Sequence, residues 1–493
     1  MADKAPAGYG QGGSWGGTTT TSSSSSGNGY GGGGPASSSS GGEDEPPNAE
    51  VPQQDAGADP DAAFTCEGLE KDKPLVLYLS ADDSNSMASP AHARERLNLG
   101  MGAASVRTYE FLNYYRIKYQ APPKGQLAIF AEAEPAAEAG LYDLQIGVRS
   151  FDAIKPRRPV TVTFVLDTSG SMEGQSIERE RAVVKAVAKS LAKGDIVSIV
   201  TWNDQNSVVL AGHEVTGPDD ADVLAAAGNL SAGGSTDLHG GLVAGYGLAT
   251  KHYGEKRLNR VILVSDGGAN TGITDEEIIA QHANDADKEG IYMVGVGTGP
   301  ADGYNDFLMD TITDKGRGAY VYIDSVEEAE QMFVARFDET MEVAARAVQV
   351  ELTLPWYFQM HKFYGEEYSE NPAEVTPQHL APSDAMVFDQ ILRACDPKAV
   401  DGKDPVKVHL AWQTPLTYLP MKTEISLTVG ELLESGGPAL HKGKAIVAYA
   451  EALKTGSPED LKAAYDAAVA ANPGGDPELD EIAALIKKHP SWQ

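Results

Sequence analysis

Residues 160–172, VTVTFVLDTSGSM, run from a stretch of β-branched and aromatic residues straight into an Asp-x-Ser-x-Ser turn. A second stretch, LVLYLSADDSNSM at 75–87, reads almost the same way. Their surroundings separate them. After residue 160 the apolar runs VTVTFVLD, DIVSIVTW, RVILVSD and IYMVGVG alternate with helix-period segments, among them SIERERAVVKAVAKSLA, TDLHGGLVAGYGLATKHY and TDEEIIAQHANDADKEG. Nearly continuous Val/Ile/Leu strands separated by helices indicate a parallel sheet covered on both faces, hence an α/β, doubly wound fold.

In such a sheet ligands sit beyond the carboxyl ends of the strands, where the strand order reverses. The run TFVLD delivers Asp167 to that edge, and Gly170 inside TSGSM lets Ser169 and Ser171 face one point. Two further loops reach the same edge: SAGGSTDL offers Thr236, and RVILVSDGGAN ends its strand in Asp266. Carboxylates and hydroxyls are hard oxygen donors of the kind Mg2+ prefers. Asp82 follows LYLSA without ending a strand cleanly, DDSNS contains no Gly, and there is one Thr loop and one Asp-Gly-Gly loop to share. Asp82, Ser84 and Ser86 therefore read as a polar turn ahead of SPAHARERLNLG. Asn270 and Asp237 are candidates for supporting the metal ligands or for ordinary turn and helix-start roles; Trp202 and Asn203 border the site, with a core or rim role favoured for Trp202.

Taken together, Asp167, Ser169, Ser171, Thr236 and Asp266 closely resemble the metal-ion-dependent adhesion site of the von Willebrand factor type A domain, over about residues 160 to 345. That resemblance implies that the three hydroxyls hold a divalent ion directly, Mg2+ with Mn2+ and Ca2+ as alternatives, while the acids act through water. It also implies an open coordination position for a Glu or Asp of a protein partner. The flanks, SVRTYEFLNYY and the last helices, are similar to bacterial envelope proteins of lipoprotein type, which implies a periplasmic or surface location and an upstream lipid anchor.

The rest of the chain sets the frame. Of 493 residues, 39 are Lys or Arg and 71 are Asp or Glu, a formal net charge of -32, which repels nucleic acid and anionic lipid. Cys66 and Cys395 fit no zinc spacing; they are either one disulfide, implying an oxidising compartment, or two free thiols. No run reaches the roughly 18 apolar residues of a membrane span, and the start MADKAPAGYGQGGSW lacks the basic and apolar regions of a signal peptide.

Residues 1–62 are Gly/Ser-rich and then acidic, a disordered tether. Strand-like runs in 63–157 and 347–430 are expected to form one β-sandwich-like domain into which the α/β domain, 158–346, is inserted. Residues 431–493 read as a helical cap. The closing helix of the α/β domain is predicted to run through SVEEAEQMFVARFDETMEVAARA, 325–347, as a lever toward the β-domain.

Enzymatic readings find no support: the sequence has no phosphate-binding Gly-x-x-x-x-Gly-Lys-Ser/Thr loop, no His-Glu-x-x-His and no Gly-x-Ser-x-Gly elbow. Two functions are expected to compete. One is a metal-dependent adhesion or scaffolding protein of the cell envelope. The other is a cytoplasmic accessory subunit of an ATPase-driven remodelling or metal-insertion complex.

Overall fold

The computed structural model describes residues 64–82, 85–268 and 290–492. The tether expected at 1–62, together with Ser84, Asn270 and residues 274–289 of the segment TDEEIIAQHANDADKEG, lies outside them.

In chain order, β1 (Leu75–Ser80) leads through α1 (Ala88–Asn98) and α2 (Thr108–Tyr114) to the hairpin β2 (Leu127–Pro135) and β3 (Leu141–Ser150). The α/β part follows. It contains β4 (Val160–Asp167), α3 (Gln175–Ser190), β5 (Ile196–Trp202), β6 (Ser207–Glu214), α4 (Ala221–Gly228), α5 (Leu238–Lys251) and β7 (Leu258–Ser265). It continues through β8 (Tyr292–Gly297), α6 (Asp306–Gly316), β9 (Arg317–Tyr322), α7 (Val326–Glu330) and α8 (Phe337–Met341). Strands β10 (Ala345–Leu354), β11 (Phe358–Phe363), β12 (Glu367–Ser369), β13 (Gln378–Leu380), β14 (Ala385–Ala394), β15 (Pro405–Gln413) and β16 (Pro420–Thr428) come next. Helices α9 (Val429–Leu433), α10 (Pro438–Thr455), α11 (Pro458–Ala470) and α12 (Pro477–Ile486) close the chain.

The central sheet has the order β6-β5-β4-β7-β8-β9, parallel except for β6 at its edge. The chain builds outward from β4 to β5 and β6, then crosses to β7 and builds the other way, so the switch point lies between β4 and β7. Strand β4 is buried at every position, as a strand covered on both faces must be. One face carries α3 and α4 and the other α5 and α6. Two glycines set the spacing of α5. A Cβ at Gly245 would meet Val165 Cγ2 at 2.3 Å, and one at Gly241 would meet Trp202 Cγ at 2.6 Å, so the helix rests directly on β4 and β5.

Two antiparallel sheets, β12-β1-β10-β15-β16 and β11-β14-β3-β2, enclose a second core. Leu77, Leu144, Ile146, Leu352, Phe388 and Leu410 pack there, so strands from both sides of the α/β insertion make one sandwich. A disulfide joins Cys66 to Cys395, with 4.9 Å between the Cα atoms.

One expectation is corrected, and two features lie beyond the local sequence pattern. Strands β6 and β9 were not foreseen: the outer strand SVVLAGHE is largely exposed and carries no inward alternation, and RGAYVY is short. The closing helix of the α/β part stops at Met341, with a wider, i→i+5 turn at Gln331–Ala335 between α7 and α8. Residues from Ala345 onward are β10, because the pairing offered by β1 and β15 outweighs the helical propensity of an Ala-rich run. In the closing helical segment, Ile446, Tyr449, Leu453, Leu461, Ile482 and Ile486 share one core with α2 and the central sheet.

Candidate metal centre

Strand β4 ends where its neighbours stop pairing with it. Thr168 still donates its N–H to the Trp202 carbonyl (2.8 Å), after which the Ser169 N–H turns back onto Asp167 Oδ1 (2.9 Å). An Asp that accepts a bond from the backbone two residues on is the normal device for such a turn. A short 3-10 turn, Gly170–Met172, follows, anchored by the fully buried Met172. It leaves the Ser169 and Ser171 hydroxyls 3.1 Å apart, Ser169 buried and Ser171 exposed.

The Thr loop is laid directly on this turn. Gly233 N–H donates to the Thr168 carbonyl (2.9 Å), and Gly170 N–H donates to the Gly234 carbonyl (3.1 Å). A Cβ on Gly170 would stand 3.2 Å from that carbonyl, so a side chain there would press the two loops apart. Half-buried Thr236 follows two residues on, immediately before α5. Asp237 is the N-cap of that helix, accepting from Gly240 N–H (3.0 Å) and from Asn206 Nδ2 (3.1 Å).

The third loop enters from β7, across the switch point. Ser265 Oγ donates to Asp167 Oδ2 (2.7 Å), and the buried Asp266 accepts from Gly268 N–H (2.9 Å). A Cβ at Gly268 would lie 2.9 Å from Asp266 Oδ1 and 3.3 Å from Ser171 Oγ, so Ser171 and Asp266 line one small space that only a glycine leaves open. The structure thus brings loops carrying all five expected residues, Asp167, Ser169, Ser171, Thr236 and Asp266, to one sheet edge. Trp202 is wholly buried in the core, and Asn203 closes a turn onto Gln205 N–H (2.8 Å).

Two participants escaped the sequence reading. Ser265 is a hydroxyl at the end of an otherwise apolar strand. Glu180 occupies the apolar stripe of α3, three residues after Ile177 and three before Val183, and it is completely buried. That stripe position was the available signal, because a carboxylate on a core-facing helix surface requires a partner. Neither Glu180 carboxylate oxygen meets a side-chain donor among the described residues, and the backbone of Asp167 is the polar group that approaches it.

The electrostatics agree with the geometry. Burial pushes Asp167 up to about 6; bonds from Ser169 and Ser265 oppose the shift, and the charge of Asp266 adds to it. Burial, then the neighbouring Asp167, pushes Glu180 well above the usual carboxylate range. Among the described residues no Lys, Arg or His forms an ion pair with Asp167, Glu180 or Asp266. Three buried carboxylates beside two hydroxyls, with no ion-paired cation and only the neighbouring charge of Arg181 acting on Glu180, form a donor set that suits a hard divalent ion.

The first Asp-x-Ser-x-Ser is a different structure. Asp82 accepts from Ser86 N–H and from Asn113 Nδ2 (2.7 Å), while Ser86 Oγ is bonded to Glu110. Its described residues Asp82 and Ser86 are buried and stitched to α2.

The family model of the von Willebrand factor type A domain matches residues 161–335, and this part of the chain is such a domain. Relatives lie in bacteria and animals. The chain is 29% identical over 298 residues to the uncharacterized protein YfbK of Escherichia coli, 57% of this chain and 51% of that one. It is 24% identical over 230 residues to the inter-alpha-trypsin inhibitor heavy chain H1 of Sus scrofa, 44% of this chain and 24% of that one. The chain therefore spans about half the length of the first relative and a quarter of the second. Among solved structures, a von Willebrand factor type A protein from Catenulispora acidiphila aligns over 73% of this chain and 89% of its own, at 15% identity and a TM-score of 0.48.

Proposed function

We propose that the chain is a divalent-metal-dependent protein-binding module in which a partner's carboxylate completes the coordination of the ion. The observation that carries this reading is the buried acid cluster without an ion-paired cation among the described residues: Asp167 and Glu180 are held above their ordinary ionisation range by burial, and a bound Mg2+ would offset the cost of charging them. Ser169, Ser171 and Thr236 would hold the ion, Asp167 and Asp266 would support it, and the ion would supply an electrophile for a partner's carboxylate. Ser265 holds Asp167 in place. The partner is a protein presenting Asp or Glu, and Mn2+ or Ca2+ substitute for Mg2+ to different degrees.

The disulfide between Cys66 and Cys395 supports a place in the cell envelope and weighs against the cytoplasmic accessory reading, since such bonds persist in oxidising compartments. No described helix is long and apolar enough to cross a membrane.

The test combines metal and partner. Immobilised protein is exposed to envelope and cytosolic fractions in Mg2+ and in EDTA, with Asp167→Ala as the control. A protein retained by the wild type in Mg2+ alone, and eluted by an acidic peptide, is the expected result. Independently, Mg2+ at about a hundredfold excess over its Kd stabilises the fold by about 2.7 kcal/mol in urea unfolding. No Mg2+ stabilisation and equal recovery under all three conditions would overturn the reading.

A further inference from the structure

The sandwich carries a cavity of about 630 Å3, at the end of β10 remote from the α/β domain. Its floor is the outer face of the larger sheet. Glu351 on β10, His409 on β15 and Glu424 on β16 stand side by side in register, with Thr353 and Lys407 in the next row. One wall is Trp356 with Pro355, another is Lys71, Asp72 and Pro74, and Asp404 closes the rim.

The walls are built rather than incidental. The disulfide from Cys66 to Cys395 pins the segment bearing Lys71 and Asp72 to the sandwich. Cys395 N–H in turn donates to the carbonyl of Tyr357, the residue after Trp356 (2.9 Å), so the two sides of the cavity are fastened to each other through one cystine.

The charges of the lining are unbalanced. Four carboxylates, Asp72, Glu351, Asp404 and Glu424, face two lysines. Among the described residues none of these six groups forms an ion pair within 4 Å; Glu351 instead meets the Tyr78 hydroxyl and Asp404 the Tyr357 hydroxyl. Lys71 places its ammonium 5.5 Å over the Trp356 ring, so the ring face that lines the cavity already accommodates a cation.

We propose that this cavity binds an organic cation carried on a flexible apolar stem, the lysine or arginine side chain of a peptide. The volume exceeds that of a metal ion or a few waters and suits a short peptide segment. The stem would lie along Trp356 and Pro355, and the charged head would meet the row Glu351, His409, Glu424. An anion meets four carboxylates there, and a neutral sugar leaves their charge unmatched. Lys71 occupies the ring until the ligand displaces it. The site is separate from the metal edge and does not depend on it.

Calorimetric titration of the intact chain with the peptide acetyl-Lys-Lys-Lys-amide tests this, with acetyl-Gln-Gln-Gln-amide as the neutral probe. The lysine peptide is expected to bind saturably and the glutamine peptide not at all. The double variant at the half-buried Glu351→Gln and the exposed Glu424→Gln should weaken binding at least tenfold, whereas Asp167→Ala should leave it unchanged. Lys71→Ala, by vacating the ring and removing a like charge, should tighten it severalfold. Equal affinity in the wild type and the double variant would show that the acidic surface in general attracts the peptide, and would overturn the proposal. So would weaker binding by Lys71→Ala, loss of binding in Asp167→Ala, or no saturable binding.

Discussion

Beside β9, Asp306 is buried against the guanidinium of Arg107, with its two oxygens 2.6 and 3.1 Å from the Arg nitrogens; at the end of β4, Asp167 is buried against a hydroxyl and a backbone amide. Burial alone would raise both. At Asp306 the Arg107 charge more than reverses it and holds the carboxyl below its ordinary range, whereas at Asp167 nothing in the protein does so. The first region is finished: Arg107 also binds Glu110 (2.7 Å), and nearby Arg94 binds Asp324 and Glu328 (both 2.7 Å). These ion pairs fasten α1 and α2 to the α/β domain. The second region carries no such ion pair, and the proposed metal binding rests on that difference.

The comparison breaks most readily at Arg107. Replacing it by Met leaves Asp306 and Glu110 buried without a cation, with only hydrogen bonds from Tyr320, Ser86 and Ser89 to offset their charge, and the expected loss is about 3–5 kcal/mol in urea unfolding, with the response to Mg2+ retained. A loss below about 1 kcal/mol would mean that the two acid clusters do not differ in kind.

Asp167→Asn should act in the opposite direction. In EDTA it removes a charge that the metal-free fold disfavours, and the variant is expected to gain about 1–3 kcal/mol while losing all stabilisation by Mg2+. Destabilisation in EDTA would show that the ionised carboxylate is already compensated.

The pH dependence sharpens the same point. Asp167 holds its proton up to about pH 6 when folded, against an ordinary value of 3.8, so the metal-free fold binds more protons than the unfolded chain in that window. Its contribution therefore falls as pH rises from about 4 to about 6, by up to about 3 kcal/mol. The advantage of Asp167→Asn over the wild type should be full above about pH 6 and vanish below about pH 4, and Mg2+ should bind weakly at pH 5 because it must displace that proton. An advantage independent of pH would break this assignment.

The smallest effect on stability is expected at Gly268→Ala. The added Cβ intrudes between Asp266 Oδ1 and Ser171 Oγ, so the Mg2+ midpoint should rise about tenfold while stability in EDTA changes by less than about 0.5 kcal/mol. Equal loss of both would mean the loop is structural only.

Much of the candidate site is legible in the sequence. Asp167, Ser169, Ser171, Thr236 and Asp266 sit at strand ends and in glycine-bearing turns, and local pattern places such residues at one edge of a doubly wound sheet. Glu180 could have been found from its place in the stripe Ile177, Val183, Val184 but was not, because a lone Glu in an amphipathic helix usually faces water. Whether Cys66 meets Cys395, 329 positions away, was beyond any local pattern.

By itself the sequence determined the period of each element, the α/β class and the oxygen donors at the strand ends, since these depend on neighbours within a few residues. Only the tertiary structure decided that Ala345–Leu354 is a strand rather than the end of a helix, that the closing helices share a core with α2, and which buried carboxylates have an arginine and which have none. Each of those outcomes rests on partners far away in the chain, and the free energy of a buried charge or a paired strand is set by those partners rather than by its own residue type.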